Sequence, residues 1–417
     1  MSKHIPQSDI VVLGAGMVGA SLVHLLKPAL ARGMSLTLID RQALNWDGDI
    51  ASRPPSFDGR ATALSYGTQQ ILSQLGVWDL MAGRACAIEH IQVSDQGRFG
   101  QTQLHAGEQN TEALGYIVEN AVIGQGLLSG LEQPGVSIKA PAQVQCVQMN
   151  ADGALLTFDN GEQLQTSLLV LADGARSALA QQLGIQHERR SYGTHALVTQ
   201  VEVDREHGHW AYERFSEDGP IAFLPLNKKD FAVVWTLADD QIEQVKALPE
   251  AEFLARLQQQ IGYRLGRLMR VGERASYPLA LVQSKEQVRR SLVLLGNAAH
   301  SLHPVAGQGF NLALRDAAVL AEYLNRAWQQ NQPLGDLALL QAYEQQQQAD
   351  QRNTIMASDL LPRLFGSKLP GMALLRDAGL LGMSALPTAR KLFTRHAMGL
   401  GQRAAKLPAT PLSGESA

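Results

Sequence analysis

The chain has 417 residues, 45% of them hydrophobic and 18% charged, with a formal net charge of -3 at pH 7. That length and apolar content exclude a disordered chain and a single small core. The near-balanced charge gives no global attraction to nucleic acid or acidic lipid, so no nucleic-acid partner is expected.

Two cysteines, Cys86 and Cys146, stand in unrelated contexts, which suits a reducing compartment better than a disulfide framework. No stretch approaches the roughly 20 apolar residues needed to span a bilayer. Asp9 and a glycine loop interrupt any secretory signal pattern at the N-terminus. A cytoplasmic protein is expected.

In chain order, "DIVVL" (Asp9 to Leu13) is a short β-branched run ending in "GAGMVGA", followed by helical spacing through Leu22, Leu25 and Leu26, then by a second strand, "MSLTLID". This is a strand–turn–helix–strand unit. Gly14 permits the tight turn, Gly16 lets the backbone approach a pyrophosphate, and Gly19 lets the helix pack on the strand. Asp40 ends the second strand about twenty residues further on, where a ribose 2′-hydroxyl would be held. An acid there fits FAD or NAD and disfavours NADP at this site.

"SLLVLADG" (Ser167 to Gly174) and "SLVLLGNAA" (Ser291 to Ala299) read as two further buried parallel strands. Between them, "HALVTQVEVD", "AYERFSEDGPIAFLPL" and "DFAVVWTLA" alternate apolar with polar residues and carry the turn signal Glu217-Asp218-Gly219-Pro220. That pattern predicts antiparallel strands. The expected class is α/β: a discontinuous Rossmann-like dinucleotide-binding domain (1–185 and 286–345), an inserted β-rich substrate domain (186–285) and a C-terminal helical segment (346–417).

"LLGNAAHSLHPVAGQGFNLALRDAAVLAEYL" (Leu294 to Leu324) admits three readings: a metal site, a phosphate cradle or a plain turn. His300 and His303 stand three apart beside Pro304, off any continuous helix, with no adjoining cysteine or acid cluster. No metal is expected, and His300 reads as structural. Gly307 and Gly309 instead open a helix carrying Leu314, Ala317, Ala321 and Leu324 on one face. A second helix N-terminus suits a large cofactor, and can stabilise negative charge at the electron-rich end of a flavin.

Three ordered motifs, "GAGMVG", "LADGARSAL" (Leu171 to Leu179) and "LLGNAAHSLHPVAGQGFNLALRDA" (Leu294 to Ala317), make the chain resemble, over nearly its whole length, the class A flavoprotein aromatic hydroxylases, the p-hydroxybenzoate hydroxylase-like monooxygenases. "FDGRATALS" (Phe57 to Ser65), "ERFSEDGPIAFLPL" (Glu213 to Leu226) and "ASYPLAL" (Ala275 to Leu281) are similar to the ubiquinone-biosynthesis hydroxylases, and "FDGRATALS" with "GNAA" looks most like the 2-polyprenyl-6-methoxyphenol hydroxylase group. The resemblance implies FAD as cofactor and NADPH or NADH as co-substrate. It implies reduction of FAD, addition of O2 to give a C4a-hydroperoxide, and oxygen transfer to the phenol ring of a polyprenylated substrate.

By the same resemblance Asp173 and Gly174 serve FAD and transient NAD(P)H binding, Arg60 and Gln125 lie near the cofactor, and Pro304 to Asn311 line the flavin ring. The late motif normally reads Gly-Asp, the acid holding a ribityl hydroxyl; here it is Gly296-Asn297, and asparagine can still hydrogen-bond a hydroxyl. No base for the phenol stands out, and His195, His207 and His209 read as surface or strand residues. Leu360 to Leu400 mixes apolar residues with Arg363, Lys368, Arg376, Arg390, Lys391 and Arg395, a pattern for a helical cap that also admits peripheral contact with the inner membrane. The resemblance further suggests a multiprotein biosynthetic assembly. A hydroxylase of another ring position, a flavin reductase of prenyl groups and a non-catalytic flavin-binding scaffold stand as alternatives.

Overall fold

The computed structural model describes residues 5–44, 60–216, 219–302, 307–366, 372–401 and 405, with side chains omitted for 361–366 and 372–378. His303, Pro304, the Phe57–Gly59 part of "FDGRATALS", the Glu217-Asp218 pair and the side chains of Arg363, Lys368 and Arg376 lie outside what is described.

The first sheet runs Val288–Arg289, Leu292–Leu294, Gln163–Leu171, Gln7–Leu13, Leu36–Ile39, Val136–Lys139. All of these neighbours pair in parallel except the short first pair. Alternation along the strands sorts their side chains into two cores. Ile10, Val12, Leu168, Val170 and Val293 face one side, packed with helices Met17–Leu25 and Gln308–Gln329. Val11, Leu13, Leu169, Leu171 and Leu294 face the other, under the antiparallel hairpin Val144–Asn150/Gly153–Phe158. Burial on both faces is why these strands read as unbroken apolar runs.

The second sheet is nine-stranded, and its centre is His187–Val203, Asp230–Ala238, Gly219–Pro225 and Trp210–Ser216 in antiparallel order. Helix Glu250–Ile261 covers one face, burying Phe253 and Leu257 against Leu197, Phe223 and Trp235. Glu250 and Glu252 in its first turn complement the helix dipole. Strands His90–Asp95 and Gln101–His105 extend this sheet beyond Trp210–Ser216, and His300–Ser301 closes its other edge. A division at residue 185 therefore does not follow the sheets: residues 90–105 lie in the first segment of the chain but hydrogen-bond into the second sheet. Local alternation cannot say which sheet a strand joins, because strand partners are chosen by the connections around them.

The C-terminal boundary also shifts. Leu337–Gly366 is one helix of 30 residues, so position 345/346 falls inside it. Met372–Ala385 and Pro387–Ala397 follow. Ser384 Oγ donates to Gln101 O at 2.7 Å, and the Arg390 guanidinium grips both carboxylate oxygens of Glu108 at 2.9 and 3.0 Å, fastening these helices over the edge of the second sheet. No helix among the described residues is long and apolar enough to cross a membrane.

Candidate active site

Three parallel strands end together and leave a crevice at their C-terminal edge, the place where open α/β sheets bind ligands. The backbone of Gly14 donates to Ile39 O at 2.8 Å and that of Ala172 to Leu13 O at 2.8 Å, so the three strand ends are tied by main chain. Gly14 has φ +100, and a Cβ there would stand 2.5 Å from Ala172 O. A Cβ on Gly19 would collide with the Gly14 carbonyl. Both glycines are thus needed where the motif places them. Gly16, in extended conformation, starts helix Met17–Leu25 with no side-chain cap and no acid in its first turn, which leaves its N–H groups and dipole to an anion.

These elements line a cavity of about 490 Å3 together with Asp40, Arg41, Asp173, Gly174, Arg176, Asn297, Gly309 and Phe310. Asp40 is oriented by two backbone donors, Ala15 N–H at 2.7 Å and Gln42 N–H at 2.9 Å. The Asp173 carboxyl is raised above the usual carboxylate range by burial, and its Oδ1 is buried without a hydrogen-bond partner among the described residues. Asn297 is exposed within an otherwise buried run and faces this cavity. Hydroxyl acceptors at both ends, an uncapped helix between them and a buried orphan oxygen fit a hydroxyl-rich dinucleotide such as FAD.

The helix Gln308–Gln329 divides this cavity from a second one. Gly309, Phe310 and Ala313 face the first; Gln308 and Asn311 face the second. Gly307 precedes the helix at φ +62, so close to strand Ala61–Ser65 that a Cβ would lie 2.8 Å from Ala63 Cβ. Asn311 secures that approach: its Nδ2 donates to Ala63 O and Gly307 O, both at 2.8 Å, and its Oδ1 accepts from Ser65 N–H at 2.9 Å. The amide of Asn311 is therefore committed to the protein backbone, holding the turn. Further along, buried Asp316 accepts from His300 Nε2 at 2.8 Å and from Gln347 Nε2 at 2.7 Å, which gives His300 its structural partner.

The second cavity, about 470 Å3, is walled by Ile88, Ile91, Val93, Leu104, Phe215, Leu224, Leu380, Met383 and Phe393, with Glu213 as its carboxylate. No pattern-based reading singled out Glu213. The available signal was period-two alternation, which puts a carboxyl on the same strand face as Ala211 and Phe215.

Arg60 and Gln125 line neither cavity among the described residues. The Arg60 guanidinium sits over the Tyr277 ring at 4.7 Å, and Gln125 is exposed on helix Asn120–Leu128. Of the three histidines set aside, His195 bonds Asp239 at 2.9 Å. His207 and His209 come within 4.8 Å of Cys86, counted between possible ligand atoms. Two features oppose metal binding there: His207 Nδ1 accepts from His209 N–H at 3.0 Å, putting the ring proton on Nε2, and burial pushes the Cys86 thiol up to about 11.

Residues 7–358 match the model of the FAD binding domain family. The chain belongs to that family. It is 36% identical to the ubiquinone hydroxylase UbiL of Rhodospirillum rubrum over 394 residues, covering 94% of this chain and 90% of that one. It is 30% identical to the 3-demethoxyubiquinol 3-hydroxylase of Escherichia coli, covering 94% and 99%. Among solved structures, p-nitrophenol 4-monooxygenase PnpA from Pseudomonas putida superposes with a TM-score of 0.76 at 18% identity over 96% of this chain and 100% of that one. A single-residue variant of Klebsiella pneumoniae HpxO complexed with FAD gives 0.72 at 19% identity over 95% and 99%. The cofactor of this chain is FAD, and the fold is that of the FAD-dependent monooxygenases.

Proposed function

We propose that the chain is an FAD-dependent monooxygenase that hydroxylates the phenol ring of a polyprenylated ubiquinone precursor, with 2-polyprenyl-6-methoxyphenol as the favoured substrate. The observation that carries this reading is the meeting of two unlike cavities at one helix start: a polar one fitted to a dinucleotide, and an apolar one with one carboxylate among its described lining residues. A cofactor lying in the first would bring its redox ring to the Gly307 turn, at the edge of the second.

Gly14, Gly16 and the helix start at Met17 would hold the pyrophosphate, Asp40 the adenosine ribose, and Asp173 with Asn297 the hydroxyls of the linking chain. Bound flavin supplies reduction by NADH or NADPH and activation of O2. The protein's own share is orientation and exclusion of water: the apolar walls keep a reactive oxygen species away from bulk solvent. Gly307 and Asn311 position the turn between the two cavities, and no metal enters the scheme.

A polyprenyl tail needs an apolar route. Leu381, Leu392 and Phe393 are exposed on the helices whose Leu380, Met383 and Phe393 line the apolar cavity, and Leu386 is exposed in the turn between them, beside Lys391 and Arg395. This arrangement supports peripheral contact of the helical cap with a membrane surface, and membership of a multiprotein biosynthetic assembly is part of the same proposal. The test is quinone-intermediate profiling of a deletion strain: a polyprenyl-methoxyphenol should accumulate, and any other intermediate reassigns the ring position. Flotation with anionic vesicles checks the membrane contact, which is rejected if the protein stays at the bottom of the gradient.

A further inference from the structure

We propose that Glu213 holds the hydroxyl of the aromatic substrate, accepting its hydrogen bond and taking up its proton while the ring is hydroxylated; this rests on the phenol-hydroxylase reading above. The strand Trp210–Ser216 turns Ala211, Glu213 and Phe215 to one face. Ala211 packs with Ala63 and Ile88, and Phe215 with Leu380 and Val93. Glu213 stands between these two contacts, on the wall of the apolar cavity. Its cross-strand partners are Val93 and Ala222, neither of which can offer a side-chain hydrogen bond.

No ion pair or hydrogen bond reaches the Glu213 carboxylate among the described residues, and burial alone pushes it up to about 7. The described charged groups of neighbouring elements have partners of their own or face elsewhere. Alternation turns Arg214 to the opposite face of the strand, while Tyr212 also contributes to the cavity lining without a hydrogen bond to Glu213 among the described residues. On the long helix, Asp350 pairs with Arg315 and Asp359 with Arg190. His90 pairs with His105 at 3.0 Å, and Arg390 with Glu108. The last helix presents Phe393, Thr394 and Ala397 to the cavity rather than its basic residues. An unpaired carboxyl in an apolar wall is destabilising. No described side chain is hydrogen-bonded to it, and a phenol hydroxyl entering the cavity is a donor of the right kind.

The chemistry agrees with that placement. An electrophilic oxygen attacks an aromatic ring faster as the ring hydroxyl gives up its proton, because charge on that oxygen raises electron density at the ortho and para carbons. The step itself is a proton transfer: the phenol O–H bond breaks, a carboxyl O–H bond forms, and no electrons leave the ring in it. The proton returns to the same oxygen as the product phenol forms. A carboxyl titrating near neutrality is matched to both directions of this exchange.

The experiment compares the flavin-loaded protein with Glu213→Gln, which cannot take a proton, and Glu213→Ala, which offers no acceptor. Flavin absorbance reports that each variant is folded. Calorimetric binding of a short-chain 2-prenylphenol and of its methyl ether should show the phenol bound about tenfold more tightly by wild type, with the preference lost in Glu213→Ala. Phenol-stimulated NAD(P)H oxidation by wild type should rise through a midpoint near pH 7, as the carboxylate forms. In Glu213→Gln the rise should vanish and kcat/KM fall by about 10²-fold. Retention of both the phenol preference and the pH midpoint in Glu213→Ala would overturn the assignment. A wild-type protein that holds FAD yet shows no phenol-stimulated oxidation overturns the substrate reading, and the role of Glu213 with it.

Discussion

The two cavities that meet at Gly307 are of similar size, about 490 and 470 Å3, and are made in opposite ways. The polar cavity is assembled around local backbone: three strand ends, a helix N-terminus and the glycine turn between them, where Gly14 lets the backbone approach Ala172. The apolar cavity is built of side chains from distant parts of the chain, including strand Ala61–Ser65, strands His90–Asp95 and Gln101–His105, strand Trp210–Ser216 and the last two helices. A phosphate-binding turn must obey strict local geometry, whereas a hydrocarbon wall asks only for apolar atoms at the right distance. The first should therefore tolerate substitution poorly and the second gradually.

The sharpest test is Gly14→Val. With φ +100 and Ala172 O already at Cβ distance, the valine should abolish flavin retention, read as loss of visible absorbance after purification. A yellow protein would show that the crevice is not the cofactor's seat. Next is Asp316→Ala, which leaves His300 and Gln347 without their shared carboxylate. Breaking a buried pair costs about 3–5 kcal/mol, and because this helix separates the cavities, flavin affinity and substrate turnover should fall together. Loss of one alone would mean that the cavities are independent.

Acid should act from the side of the dinucleotide crevice. His24, on its first helix, is buried with Nε2 bonded to Leu127 O at 2.7 Å, and burial lowers it to about 4. The unfolded chain takes up this proton first as pH falls, so stability present above pH 6.5 is lost between about 6.5 and about 4. The loss is about 3 kcal/mol, and denaturant midpoints across that range should track it. His24→Gln, which keeps a donor for Leu127, should flatten the slope. Asn311→Ala removes three hydrogen bonds around Gly307 and should cost about 1–3 kcal/mol, seen as a lower Tm and weaker coupling of NAD(P)H oxidation to product. The smallest effect is expected from Phe393→Ala on the half-exposed rim of the apolar cavity. It should weaken prenyl-substrate binding by about 1 kcal/mol with flavin content unchanged; a drop in flavin content would erase the contrast between the two cavities.

Legibility follows the same contrast. Gly14, Gly16, Gly19 and Asp40 were readable because strand, turn and helix follow each other within one crossover, and their spacing carries the geometry. Asp173, Asn297 and Gly309 were readable as motif positions, and the structure brings them to the same crevice. Gln125 illustrates the opposite case, since a short apolar helix with glycines does not reveal which way its polar residue faces. Arg60 sits one residue before a strand that lines the apolar cavity, yet its side chain stacks on Tyr277 from the neighbouring sheet. Glu213 looked like any polar residue of an alternating strand.

By itself the chain determined its α/β plan, its strand–glycine–helix turns and the antiparallel pairing of residues 187–238, because each depends on residues close in sequence whose φ angles, hydrogen bonds and periodicity are local. Only the tertiary structure decided that residues 90–105 join the second sheet, that the C-terminal helices roof its edge, and that the Glu213 carboxyl comes to line a mostly apolar cavity. Those outcomes depend on which surfaces meet across long loops. No local pattern encodes such a meeting, since burial of apolar area is non-directional and rewards any partner that excludes water.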